Sequence, residues 1–196
     1  NHRVPIHVRS SFTWEQGTWV NFEEPGMEDP IISGVVTDAN DAKVTVLGVP
    51  DQPGVSAALF EPLAVGNVVV DMIVQNTSTE GHTDISFTVP KADMSVSEQI
   101  VGQVASEIGA KGITHEADIA KVSIVGAGMK TSPGIAAKMF RTLADENVNI
   151  EMISTSTIRI SVVIAASDLE RAARALHTAF ELDSGQGYAG PLPERR

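Results

Sequence analysis

The residues best placed to do chemistry sit in one short turn, Pro50-Asp-Gln-Pro-Gly54, which separates a β-branched run from a stretch with apolar residues at helical spacing. At a helix start the first backbone N–H groups have no intrahelical partner and the helix dipole favours an anion, so Pro53, Gly54, Val55 and Ser56 could receive a carboxylate. Glycine lets a ligand come close to the backbone. A neighbouring ammonium group would need oxygen acceptors. Asp51, the strand-edge carbonyls of Asn67, Val68 and Val69, and the side chains of Gln75 and Asn76 could supply them. The same residues have a plainer use, in which Asp51 caps the helix and Gly54 only turns the chain.

Other chemistries find little support. The sequence has no cysteine, and so no thiolate nucleophile, disulfide or cysteine-based zinc site. The histidines at 2, 7, 82, 115 and 177 lack metal-ligand spacing, and no Ser-His-Asp or nucleophile-elbow pattern occurs. Val125-Gly-Ala-Gly128 follows a strand, as a dinucleotide fingerprint would. However, Thr131 stands where the third glycine belongs, and a hairpin rather than a parallel crossover follows. We therefore expect no catalytic residue, metal or cofactor. Glu170, Arg171 and Arg174 read as the solvated face of a last helix.

These residues are positioned by a duplicated unit. Val44-Thr-Val-Leu-Gly48 returns as Val122-Ser-Ile-Val-Gly126, and from 53 to 73 an offset of 80 gives 10 identities in 21 positions, among them Pro53/Pro133, Gly54/Gly134, Asn67/Asn147 and Met72/Met152. The offset grows from 78 to 80 near Gly126-Ala-Gly128, so the loop before the first helix is longer in the second copy. There the equivalent turn holds Thr131, Gly134, Ile135 and Ala136, with Asn149, Ile150 and Ser154 on the strand side. Thr131 stands for Asp51 and Ser154 nearly for Gln75, while Glu151 adds a further polar group, so the two sites are not equivalent.

Each copy reads strand, helix, strand, strand, helix, strand. In the first, Lys43 to Val49 is a strand. Val55, Leu59, Phe60 and Leu63 mark a helix that Pro62 should kink or stop. Asp71 to Gln75 and Thr83 to Val89 flank a polar tip, Val96, Ile100, Val104 and Ile108 mark a second helix face, and Ile113 to Ile119 closes the unit. In the second copy, strand Ala120 to Val125, a helix from Pro133, strands Ile150 to Thr155 and Ile158 to Ala165, and a helix from Asp168 to Phe180 leave no fourth strand. The remaining strand-like run, Val4 to Arg9, is expected to supply it, which nests the first copy inside the second. The resulting division is 1–12 as that strand, 13–42 as linker, 43–119 and 120–182 as the two domains, and 183–196 as a tail. The fold class is α+β, two split βαββαβ sandwiches with helices on one face of antiparallel sheets.

At 196 residues, two domains of under 100 residues each bury little core and should pack on each other or on a second chain. A net charge of -11 without a Lys/Arg cluster argues against nucleic acid and anionic membranes. No signal-like start or membrane-length apolar segment occurs, which suits the cytoplasm. Asn76-Thr-Ser78 matches a glycosylation acceptor, a pattern short enough to arise by chance.

The Asp-x-Pro-Gly turn followed by a helix and then Asn67-Val-Val-Val-Asp-Met-Ile-Val-Gln-Asn76 resembles the ACT domain. His7-Val-Arg-Ser-Ser-Phe12, Lys43-Val-Thr-Val-Leu-Gly-Val49, Val125-Gly-Ala-Gly-Met129, Asn149-Ile-Glu-Met-Ile-Ser-Thr-Ser156 and Ile158-Arg-Ile-Ser161 are together similar to the regulatory half of aspartate kinases. The resemblance covers nearly the whole chain. It implies feedback inhibition by threonine, lysine or both, a homodimer, and a kinase catalytic domain or subunit as partner, N-terminal in the family and absent from this sequence. It also makes the chain a C-terminal piece of a longer polypeptide, with Met27 similar to an internal start that yields a small regulatory subunit. Thr157, Pro62 and the tail Gly187 to Pro193 depart from the family's pattern. The competing reading is a scaffold whose repeats no longer bind and only hold kinase subunits together.

Overall fold

The computed structural model describes residues 6–9, 11–12, 18–20, 31–76, 81–130 and 132–184. The first repeat comprises β4 (Asp41–Pro50), α1 (Val55–Val65), β5 (Ile73–Gln75), β6 (His82–Pro90), α2 (Met94–Glu107) and β7 (Gly112–Glu116). They follow β1 (Ile6–Val8), β2 (Thr18–Val20) and β3 (Gly34–Asp38). The second contains β8 (Ile119–Val125), α3 (Ile135–Asp145), β9 (Met152–Thr155), β10 (Arg159–Ala165) and α4 (Leu169–Ala179).

Two four-stranded antiparallel sheets result, ordered β5-β6-β4-β7 and β3-β8-β10-β9, and each carries its pair of helices on one face. Strand alternation explains the two cores. Val44 and Val46 of β4 and Ile85, Phe87 and Val89 of β6 point at α1 and α2, where Leu59, Leu63, Val101 and Val104 meet them. In the second repeat Val122, Ile124, Ile160, Val162 and Ile164 meet Met139, Leu143, Leu176 and Phe180. A third cluster, Met72, Ile119, Met152 and Val163, lies on the opposite sheet faces and joins the repeats.

The strand that completes the second sheet differs from the expectation. Gly34–Asp38 pairs with β8, Val35 opposite Ile124 and Asp38 opposite Lys121, whereas Ile6–Val8 pairs with Thr18–Val20 in a separate two-stranded ribbon. The nesting stands, but its outer strand comes from the segment read as linker. Ile32, fully buried in the second core, and Ile31 beside it anchor that segment. A Cβ on Gly126 would lie 1.9 Å from the Ile31 carbonyl oxygen, so only glycine admits this close passage.

Helix α1 also runs on through Pro62 to Val65. A proline this near the end removes only the bond to the Ala58 carbonyl, and Leu59 and Leu63, both fully buried, hold the flanking turns in the core. On α2 the buried face is Ser97, Val101, Val104 and Ala105, while Val96 is 45% exposed. Ser97 can be buried because its hydroxyl donates to the Asp93 carbonyl at 2.7 Å. Helices α1 and α3 end alike. Asn67 and Asn147 take left-handed φ of 58° and 55°, and the amides of Val68 and Val148 donate back to the carbonyls of Leu63 and Leu143 at 2.9 Å.

Candidate functional site

Both predicted turns enter their helices through a left-handed glycine, Gly54 at φ 94° and Gly134 at φ 96°. Neither helix has a side-chain cap. Asp51 is exposed and does not cap α1; its backbone N–H donates to the Gly81 carbonyl at 2.9 Å, tying the turn to the β5–β6 hairpin. The capping reading of Asp51 fails because two residues and a left-handed glycine separate it from the first helical residue. Open space surrounds Gly54 and Gly134, since a Cβ there would meet nothing within 4 Å. The approach to each glycine is therefore open, and at the first turn the Val55 N–H makes a long bond to the Gln52 carbonyl, 3.4 Å.

Ser56 and Gln75 come together, the serine hydroxyl donating to the Gln75 side-chain oxygen at 3.1 Å. This joins the helix start to the edge strand β5 and sets a hydroxyl and an amide at the mouth of the turn. Val55 and Val68 are buried in the core, so only their backbone groups can serve a ligand, whereas Val69 is 67% exposed. Asn76 uses its carbonyl to accept from the Thr83 hydroxyl.

The second turn is poorer in polar groups. Thr131 lies outside the described residues. Ala136 replaces Ser56, and Thr155, not Ser154, takes the place of Gln75. Alternation along β9 puts Ser154 on the face of Met152, which packs into the cluster between repeats, so Ser154 points away from Gly134. Ile135 is buried in the core and Asn149 is exposed.

Glu151 does not face the turn either; it is ion-paired with Lys43 of the other repeat. The reading of the sequence passed over this lysine and its counterpart Lys121. Lys43 also meets Glu116 at 2.8 Å, while Lys121 meets Asp41 at 2.8 Å and Asp71 at 2.5 Å. Burial works to lower both lysine pKa values, but the hydrogen bonds and charges of the paired carboxylates outweigh it and hold both above the ordinary 10.5. The signal was present, since Asp38-Ala-Asn-Asp-Ala-Lys-Val44 and Glu116-Ala-Asp-Ile-Ala-Lys-Val122 repeat at the same offset of 78.

A groove of about 760 Å³ lies elsewhere, between α3 and α4. Its Arg171 and Arg174 are paired with Asp168 and Glu170, so neither arginine is free to organise an anionic ligand, and we place no site there. Among the described residues no group of His, Asp and Glu is arranged to hold a metal, and no helix is long and apolar enough to cross a membrane.

Residues 44–104 and 122–180 match the ACT domain family. An aspartate kinase of Stutzerimonas stutzeri is 49% identical over 187 residues, which cover 95% of this chain and 45% of that protein. An aspartokinase of Corynebacterium glutamicum is 44% identical over 194 residues, 95% of this chain and 46% of that protein. The chain therefore spans about half the length of the curated relatives it matches. Among solved structures, the regulatory subunit of aspartate kinase from Thermus thermophilus, in its ligand-free form, superposes with a TM-score of 0.73 at 42% identity, covering 76% of this chain and 99% of the subunit. Crystallised aspartokinase alpha and beta subunits give a TM-score of 0.73 at 46% identity, with 77% and 99% covered. With both repeats matched by one family and a solved regulatory subunit matched almost end to end, the chain belongs to the ACT domain family as the regulatory part of an aspartate kinase.

Proposed function

We propose that the first turn is an amino-acid sensor and that threonine is its ligand, with lysine as the other candidate effector of the chain. The observation that carries this reading is the Ser56–Gln75 pair at the mouth of an uncapped, open helix start. The amides from Gly54 to Ser56 take the carboxylate. Gln75, with the carbonyls of Asn67 to Val69, takes the ammonium and hydroxyl, and exposed Asp51 adds negative charge nearby. The second turn, with Ala136 and Thr155 in place of the polar pair, prefers a different side chain or binds nothing.

In this reading, binding restrains a cytoplasmic kinase that transfers phosphate from ATP to aspartate, through a catalytic portion on the same polypeptide or a partner subunit. The chain acts as a homodimer in which edge strands β5 and β9, with Ile73 and Ile153 about half exposed, are covered by a second copy. A polypeptide begun at Met27 would carry both complete sheets, because β3 lies downstream of it.

Calorimetric titration of the chain with threonine and with lysine tests the sensor. We expect saturable heat with threonine. Absence of heat with both amino acids supports the rival reading, a scaffold that only holds kinase subunits together. Light scattering tests the dimer, and a concentration-independent monomer with and without amino acids refutes it.

A further inference from the structure

Each repeat reaches into the other with an acid from the same place in the duplicated unit, Glu151 to Lys43 and Asp71 to Lys121, and the first repeat adds buried Asp41 of β4, 2.8 Å from Lys121. Lys43 of β4 stands opposite Glu116 on its own sheet and also binds Glu151 of the second repeat. Lys121 of β8 stands opposite Asp38 on its own sheet, 3.9 Å away, and also binds Asp71 of the first repeat. The lysines are 78 positions apart and the reaching acids 80, the two offsets of the duplication. Both lysines project from the sheet faces that lack helices, and the apolar cluster of Met72, Met152, Ile119 and Val163 also lies between the repeats. The chain crosses between repeats just before each lysine. β3 lies in the second sheet and β4 in the first, β7 in the first and β8 in the second.

The place of the reaching acids gives this arrangement a consequence. Asp71 lies between left-handed Asn67 and Gln75, within the segment that forms the ammonium side of the proposed site, and Glu151 occupies the same place between Asn147 and Thr155. A ligand drawing residues 67–75 towards the Gly54 turn must move or fix Asp71, and with it Lys121 and the first strand of the second repeat. The converse holds through Glu151 and Lys43. We infer that these two crossed ion pairs are the link by which occupancy of one repeat's turn is felt at the other's, an inference that rests on the sensor reading above. Such coupling is reciprocal by thermodynamic necessity. The two links are unequal, because the Lys43 and Glu151 side chains are each 18% exposed whereas Asp71 is 53% exposed, so the Lys43–Glu151 arm is screened less.

Hydrogen exchange on the whole chain, read by mass spectrometry, tests the link in two arms. In the ligand-free chain, Lys43→Met should speed exchange in residues 147–155 by about ten-fold and leave 67–75 unchanged, while Lys121→Met should do the reverse. Glu151→Gln, which keeps side-chain size, should reproduce the effect of Lys43→Met should that variant fold poorly. Faster exchange in the substituted lysine's own repeat, in both segments, or in neither overturns the link. In the second arm, saturating threonine or lysine should protect both segments of the unsubstituted chain but only the occupied repeat in Asp71→Asn/Glu151→Gln, which breaks both links. Protection confined to one repeat of the unsubstituted chain, or spreading undiminished in Asp71→Asn/Glu151→Gln, overturns the coupling alone. Protection of neither segment by either amino acid refutes the sensor, and transmission with it, while the crossed pattern of the free chain still stands or falls separately.

Discussion

Gln75 separates ligand binding from stability more cleanly than any other residue of the first turn. It is exposed, lies on an edge strand, and holds one hydrogen bond, from Ser56 at 3.1 Å, so its truncation removes little that folding depends on. Hydrogen bonds to a charged ligand group contribute roughly 1.5 to 3 kcal/mol each, so Gln75→Ala should weaken threonine binding about ten-fold or more. Its melting temperature without ligand should stay nearly that of the parent chain. Unaltered affinity by calorimetry would place the sensing site elsewhere. Gly126 gives the opposite case: Gly126→Ala sets a Cβ against the Ile31 carbonyl, and we expect a lower melting temperature with no direct effect at the Gly54 turn. The glycine turn at the start of α1 could be read from residue types, because glycine after proline at a helix start has few uses. The role of Asp51 could not, since capping depends on a register that a left-handed Gly54 displaces. Nor could the side of β9 that Ser154 faces, which a one-position shift reverses.

At the scale of elements, β3 decides whether the second repeat is complete. It pairs with β8 from Gly34 to Asp38 and follows Ile32, which is fully buried in the second core. A chain beginning at residue 31 should therefore keep slow exchange across β8, whereas one beginning at residue 39 should lose protection at the β8 amides that face β3. Equal protection in the two would contradict the observed strand order. The helices and seven of the eight sheet strands follow from periodicity, within a few residues at each end. The outer strand was misassigned because Val4 to Arg9 and Gly34 to Asp38 are both short β-branched runs, and local pattern alone does not choose between them. Duplication does choose, since Gly34 to Val44 aligns with Gly112 to Val122, five identities in eleven positions, and the aligned strand is β7. Pro62 misled in the other direction. Its local cost is real, but packing of Leu59 and Leu63 on either side outweighs it.

At the scale of the molecule, the repeats form one unit by exchanging strands and ion pairs, and the lysines at the centre give that union a pH dependence of definite sign. Burial alone would lower their pKa values, yet Glu116 and Glu151 hold Lys43, and Asp41 and Asp71 hold Lys121, above the ordinary 10.5. A lysine whose folded pKa is raised binds its proton more tightly in the folded chain than in the unfolded one. The stability it contributes is therefore complete below the unfolded value and is lost as pH rises through the folded one. The melting temperature should thus carry a component that is flat from neutrality to about pH 10 and falls above it. The Lys43→Met/Lys121→Met variant should begin from a lower melting temperature and fall less steeply in that alkaline range. The two chains differ only at Lys43 and Lys121, so the difference between the two curves isolates the central pairs. Parallel curves would show that these ion pairs contribute nothing to holding the repeats together, and the union would then rest on the methionine cluster and the two strand crossings alone.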